Sequence, residues 1–133
     1  MSSFTYEFVP QFADTDAAGI MHFAKIFCYV EEAEHHVLHS LGFPINPVDP
    51  GCLQWPRVSC TAEFHRPIKA FAPMMVRLTV KRLGSTSITW LWEIHGEENT
   101  CARGELKTVC CKITNNRIEP GPIPDALRTA LSV

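Results

Sequence analysis

Residues 22–41 read HFAKIFCYVEEAEHHVLHSL. Within this stretch Ile26, Phe27, Val30, Ala33, Val37, Leu38 and Leu41 recur at the interval of one helix face, with Lys25, Glu32 and His36 off it. Gly42 and Pro44 follow, and both residue types stop helices. The spacing predicts one long helix over 22–41. Beyond Pro56 the period changes to that of strands, over 58–64, 74–83, 87–95 (SITWLWEIH) and 101–113 (CARGELKTVCCKI). Pro67, the Gly84-Ser85 turn and the hairpin loop Gly96-Glu97-Glu98-Asn99 separate them. Ahead of the helix, residues 5–12 alternate and set Tyr6, Phe8 and Phe12 on one side, as a half-buried strand would. The stretch 44–56, with four prolines and a glycine, reads as an irregular connection, and 122–131 as a short terminal helix beginning near Pro124-Asp125. One strand, one helix and a meander of strands make an α+β chain whose antiparallel sheet needs its apolar face covered, and the helix is the cover.

Composition narrows the function classes. The 133 residues, with no repeat or low-complexity tract, predict one domain over 1–133. A chain of this size buries about two thirds of its unfolded surface, so its core needs neither disulfide nor metal. Apolar residues are 46% and charged residues 20%, which excludes a disordered chain. Twelve Lys and Arg stand against fourteen Asp and Glu, a net charge of −2 without the basic excess used against nucleic acid or anionic lipid. No run is long enough to span a membrane, and the opening MSSFTYEFVP lacks signal-peptide blocks, so a cytoplasmic location is expected.

The six cysteines, at positions 28, 52, 60, 101, 110 and 111, show no CxxC spacing and are expected as reduced, largely apolar thiols; Cys110 and Cys111 would face opposite ways on a strand. His35 and His39 stand at i, i+4, but without the HExxH pattern a polar helix face explains them better, and no metal site is expected. In Trp90-Leu91-Trp92 one ring is expected in the core and one at an interface.

The densest chemistry lies at residues 14–22. Asp14 and Asp16 stand just ahead of a helix start, where Asp serves as an N-cap or dipole partner. The same position also suits catalysis. Unpaired N–H groups at a helix start can hold a developing oxyanion beside an ionised carboxylate, and Gly19 lets backbone approach a substrate closely. Such a pair suits acyl transfer, with Asp as nucleophile or as base toward water.

The string Phe12-Ala13-Asp14-Thr15-Asp16-Ala17-Ala18-Gly19-Ile20-Met21-His22-Phe23-Ala24, followed by Tyr29-Val30-Glu31-Glu32-Ala33-Glu34-His35, resembles the signature of the hotdog-fold acyl-CoA thioesterases. The nearest group is the 4-hydroxybenzoyl-CoA thioesterase-like family, with its D-x-D-x-x-G element leading into a central helix. Trp55-Pro56-Arg57-Val58, Pro67 and Ile123-Pro124 also resemble it. The resemblance implies a curved antiparallel sheet wrapped around one long central helix. It implies a homodimer or a homotetramer of two dimers, with residues 54–59 of one subunit facing Asp16 of the other.

By the same resemblance the catalytic carboxylate falls on Asp16, Asp14 is structural, and the N–H that polarises the thioester carbonyl is that of Phe23. His22 and Trp55 are implied substrate contacts, Trp55 lining the acyl pocket. Lys81, Arg82 and Arg66 are the candidates for the phosphates of CoA. Glu31 and Glu34 fall where another hotdog branch carries a carboxylate, and a structural role is expected for both. The implied activity is hydrolysis of an acyl-CoA, aromatic (hydroxybenzoyl or 1,4-dihydroxy-2-naphthoyl) or aliphatic, without cofactor. The rivals are a hotdog dehydratase and a non-catalytic acyl-CoA binder.

Overall fold

The computed structural model describes residues 2–46, 48–49 and 51–132. Pro47 and Pro50, two of the prolines in the 44–56 connection, lie outside the described residues. The chain forms strand β1 (Ser3–Phe8), a 3-10 turn (Phe12–Asp14), helix α1 (Phe23–Ser40), strands β2 (Arg57–Cys60), β3 (Glu63–Phe64), β4 (Met74–Leu83), β5 (Ser87–His95), β6 (Thr100–Val109), β7 (Cys111–Thr114) and β8 (Arg117–Pro120), and helix α2 (Asp125–Ser132). Six strands make one antiparallel sheet in the order β1-β4-β5-β6-β2, with β3 also on β6; β7 and β8 form a separate ribbon. The expected α+β architecture is present.

Alternation in β4 and β5 sends Met74, Val76, Leu78 and Val80, and Ile88, Trp90, Trp92 and Ile94, to one face. Against that face α1 lays Ile26, Val30, Ala33, Val37 and Leu38, all buried. Leu127 and Leu131 of α2 close the core, and Arg128 ties α2 to the β4–β5 turn through a 2.7 Å bond to the Gly84 carbonyl. Gly42 ends α1 at φ +90°, with its N–H on the His39 carbonyl and that of Phe43 on the Leu38 carbonyl, a Schellman closure. No helix among the described residues is long and apolar enough to cross a membrane.

Several expectations are corrected. The first strand stops at Phe8, because Pro10 has no N–H for the ladder; Phe12 sits in the 3-10 turn, 77% exposed. The strand expected over 58–64 breaks into β2 and β3, and that over 101–113 breaks at Cys110. At this break Cys110 lies between two strands, Cys110 and Cys111 are both buried, and all six cysteines are free. Trp90 and Trp92, two residues apart, share a face and are both fully buried, while Leu91 points outward. The buried stripe of α1 also takes in Glu34, while Phe27 and Leu41 are only partly buried.

Candidate active site

The segment between the 3-10 turn and α1 is closed at both ends. At its start the Asp14 carboxylate accepts the Gln11 N–H at 2.8 Å and the Tyr29 hydroxyl at 2.5 Å. At its end the His22 N–H donates to the Asp14 carbonyl at 2.8 Å, and the Met21 N–H to the Ile68 carbonyl at 2.7 Å. Burial opposes ionisation of Asp14, but the bonds from Tyr29 and Gln11 and the charge of Lys25 hold its carboxyl below the usual range. Burial and the same bond push the Tyr29 phenol well up.

Inside this clip the chain turns tightly at Asp16. Its Oδ1 accepts the Ala18 N–H at 2.8 Å, its carbonyl the Gly19 N–H at 3.0 Å, and its own N–H reaches the Ile20 carbonyl at 2.9 Å. Gly19, at φ +78°, supplies the left-handed residue that closes the turn. A Cβ there would meet nothing within 4 Å, so within the chain the glycine is needed for its backbone angle rather than for room.

Helix α1 then starts with an unusual cap. His22, its backbone extended at φ −63° and ψ 135°, accepts the Ala24 N–H on ring Nδ1 at 3.1 Å and the Lys25 N–H on its main-chain carbonyl at 2.9 Å. The Phe23 N–H, first in the helix, meets no acceptor among the described residues. It is a bare donor at the positive end of an 18-residue helix.

Asp16 and Phe23 line one cavity of about 500 Å³. Ile20, Met21 and Ile26 stand with them, and residues Phe64, His65, Arg66, Pro67 and Ile68 form the opposite wall. That wall is held by the N–H groups of His65 and Arg66, both on the Cys101 carbonyl at 2.8 and 3.0 Å. The side chains of Phe23 and Phe64 are 59% and 53% exposed, large apolar surface left open at a mostly apolar hollow. Asp16 is exposed at its rim. A carboxylate and an unpaired N–H on one apolar cavity can together grip a carbonyl centre.

Of the residues expected at the site, Asp16, Phe23 and Arg66 share this cavity; the others do not. His22 has its Nδ1 committed to the cap and its ring stacked on Phe23, 4.8 Å between centroids, and it does not line the cavity. Trp55 is buried in the core, 6% exposed. Lys81 is paired with Glu105 in a separate groove along the sheet, and Arg82 lies exposed near the end of β4. Phe64 and His65 were not anticipated; no local signal marks them, since sheet topology alone brings them opposite Asp16. His35 and His39 gather no further ligand: no group of three or more His, Cys, Asp or Glu able to hold a metal converges among the described residues.

The family model described as the thioesterase-like superfamily matches residues 10–131. The chain belongs to that superfamily. A 1,4-dihydroxy-2-naphthoyl-CoA hydrolase of Synechococcus sp. (strain WH7803) is 32% identical over 88% of this chain and 80% of its own. The crystal structure of a 1,4-dihydroxy-2-naphthoyl-CoA thioesterase from Synechocystis superposes with a TM-score of 0.86, at 26% identity, over 98% of this chain and 96% of its own. A gentisyl-coenzyme A thioesterase structure gives 0.84 at 28% identity, over 94% of this chain and 99% of its own. The chain is thus a thioesterase of the hotdog fold, and the enzyme class expected from its sequence stands.

Proposed function

We propose that this thioesterase hydrolyses an aromatic acyl-CoA, of the 1,4-dihydroxy-2-naphthoyl or hydroxybenzoyl type, to the free acid and CoA. The observation that carries the reading is the meeting of the Asp16 carboxylate and the unpartnered Phe23 N–H on one apolar cavity. The thioester oxygen takes the Phe23 N–H, whose bond strengthens as charge develops on that oxygen. Asp16 attacks the carbonyl carbon or draws a proton from attacking water. The Phe23 and Phe64 rings suit a flat aryl group, and the names of the relatives point the same way. Arg66, on the cavity wall, is the first candidate for a CoA phosphate, ahead of Lys81 and Arg82. The chemistry calls for no metal or redox cofactor.

On this reading residues 1–133 are one cytoplasmic domain whose sheet curves around α1 as its central helix. Two copies pair through their sheets, as a dimer or as half of a tetramer. Residues 54–59 of one copy then cover the rim on which Asp16 of the other stands exposed. The test is a panel of acyl-CoAs followed by free-thiol release, with Asp16→Asn beside the wild type. Turnover falls by about two to four orders of magnitude in the variant while binding is kept. Equal thiol release from both proteins would remove Asp16 from the reaction, and loss of water from the acyl chain without thiol release would make the enzyme a dehydratase. A single turnover in ¹⁸O-labelled water separates the two roles of Asp16, since label entering its carboxylate first marks the nucleophile.

A further inference from the structure

Tyr29 stands on the second turn of α1, outside the cavity, yet its hydroxyl reaches back across the helix start to Asp14 at 2.5 Å. Its ring is fixed as well, stacked on Phe8 at the end of β1 with centroids 4.1 Å apart and planes 20° apart. Asp14 in turn bonds in two directions. Its carboxylate takes the Gln11 N–H, and its carbonyl takes the N–H of His22, the residue whose ring and carbonyl occupy the next two donors of the helix. With Ala24 and Lys25 satisfied in this way, Phe23 is left as the free donor.

We propose that Tyr29 is a positioning residue for thioester hydrolysis, its hydroxyl holding Asp14 so that the loop 14–22 presents the Asp16 carboxylate and the Phe23 N–H to the same point. The inference rests on the catalytic reading above and adds to it a residue that touches no substrate. One rigid chain of bonds, Tyr29 to Asp14 to His22, fixes the two ends of a nine-residue clip whose turn carries Asp16 and whose exit carries Phe23. Loosening it moves the two groups relative to each other rather than removing either. Misplacement on the scale of 1 Å costs rate more than binding. The Asp14 carboxyl, held ionised, and the Tyr29 phenol, held protonated, make this bond of the strong charge-assisted kind.

Tyr29→Phe keeps the ring and its stacking and removes one oxygen. In the purified enzyme with the best acyl-CoA of the panel, kcat falls about tenfold to a hundredfold while KM stays within about threefold. Asp14→Asn does the same, and the double variant is no slower than the slower single, because both cut one chain. Leu131→Val, which destabilises the core from α2, keeps kcat and so separates positioning from simple loss of stability. A second readout needs no substrate: amide hydrogen exchange at His22 speeds up about tenfold in Tyr29→Phe. A Tyr29→Phe enzyme with kcat within twofold of wild type, or with unchanged exchange at His22, overturns the inference while leaving Asp16 in place. Full turnover in Asp16→Asn instead overturns the catalytic reading, whatever Tyr29→Phe does.

Discussion

Arg57 holds a carboxylate that has no contact with solvent. Its Nη1 lies 2.6 Å from Oε1 of Glu34, which is 0% exposed, and its Nη2 lies 2.8 Å from Oε2 of Glu31. The pair joins the middle of α1 to β2, a strand at the edge of the sheet, and gives both glutamates a structural partner.

Removing the cation strands the anion. Arg57→Ala is expected to cost about 3–5 kcal/mol in chemical denaturation near neutral pH. Burial already pushes the Glu34 carboxyl above its usual range against the pull of Arg57, and without Arg57 it rises further. A carboxyl raised on folding contributes fully below its unfolded value and loses that contribution as pH rises through its folded value. The deficit of the variant is therefore smaller at pH 5 than at pH 8, and a deficit that grows on acidification contradicts the assignment.

Asp14 titrates in the opposite sense. Its folded value is lowered, so the stability it contributes is present above the ordinary carboxylate range and lost as pH falls through the folded value. Asp14→Asn is expected to be less stable than wild type at about pH 7 and to converge on it toward about pH 3. Parallel denaturation curves with a gap independent of pH would argue against the ionised Asp14–Tyr29 bond.

Phe23→Pro isolates the main-chain donor. Proline suits the first position of a helix, the Phe23 N–H has no partner to lose, and His22 already holds the extended angles that the residue before proline prefers. The variant is expected to fold with near-wild-type melting and to lose about 10²–10³ in kcat, whereas Phe23→Ala keeps the N–H and most of the rate. Equal activities in the two variants would discard the oxyanion role.

Arg66 and Lys81 divide the cationic surface. Arg66→Ala is expected to raise KM for acyl-CoA about tenfold, with little effect on kcat and a weaker dependence of KM on salt. Lys81→Ala, which frees Glu105 in another groove, leaves KM unchanged. The reverse pattern in steady-state kinetics would move the nucleotide to the outer sheet face.

Gly104 marks a backbone crossing. A Cβ built on it lies 1.8 Å from the Thr61 carbonyl oxygen, where the chain passes from β2 to β3 over β6. Gly104→Ala has no flexible neighbour to displace and is expected to destabilise by about 1–3 kcal/mol or more. An unchanged denaturation midpoint would mean that the crossing is not held this closely.

Much of the frame was legible because its signals are local. The apolar stripe and the Gly42 stop set α1 within one residue at each end, and uninterrupted alternation gave β4 and β5 their full lengths. The breaks at Thr61-Ala62 and at Cys110 were not legible: the first falls where the chain crosses over Gly104 between two pairings with the same strand β6, the second where it leaves β5 for β8, and both are tertiary events. Strand β8 is four residues long, exposed throughout and ends on a proline, too short a signal to mark a strand. At the site, Asp16 and Phe23 were reached through a motif at a helix start. The capping role of His22 was not legible, because an imidazole cap falls outside the usual Ser, Thr, Asp and Asn set. The burial of Glu34 depends on Arg57, 23 residues away, which no local pattern announces.

The exposed Phe23 side chain and the amide beneath it answer to different pressures. Nineteen of the twenty genetically encoded residues would keep a hydrogen on that nitrogen, so under the proposed mechanism drift at codon 23 can reshape which acyl group is welcome without touching the hydrolytic step. That mechanism uncouples preference from reactivity at one position, and libraries randomised there should yield active enzymes of altered taste rather than dead ones.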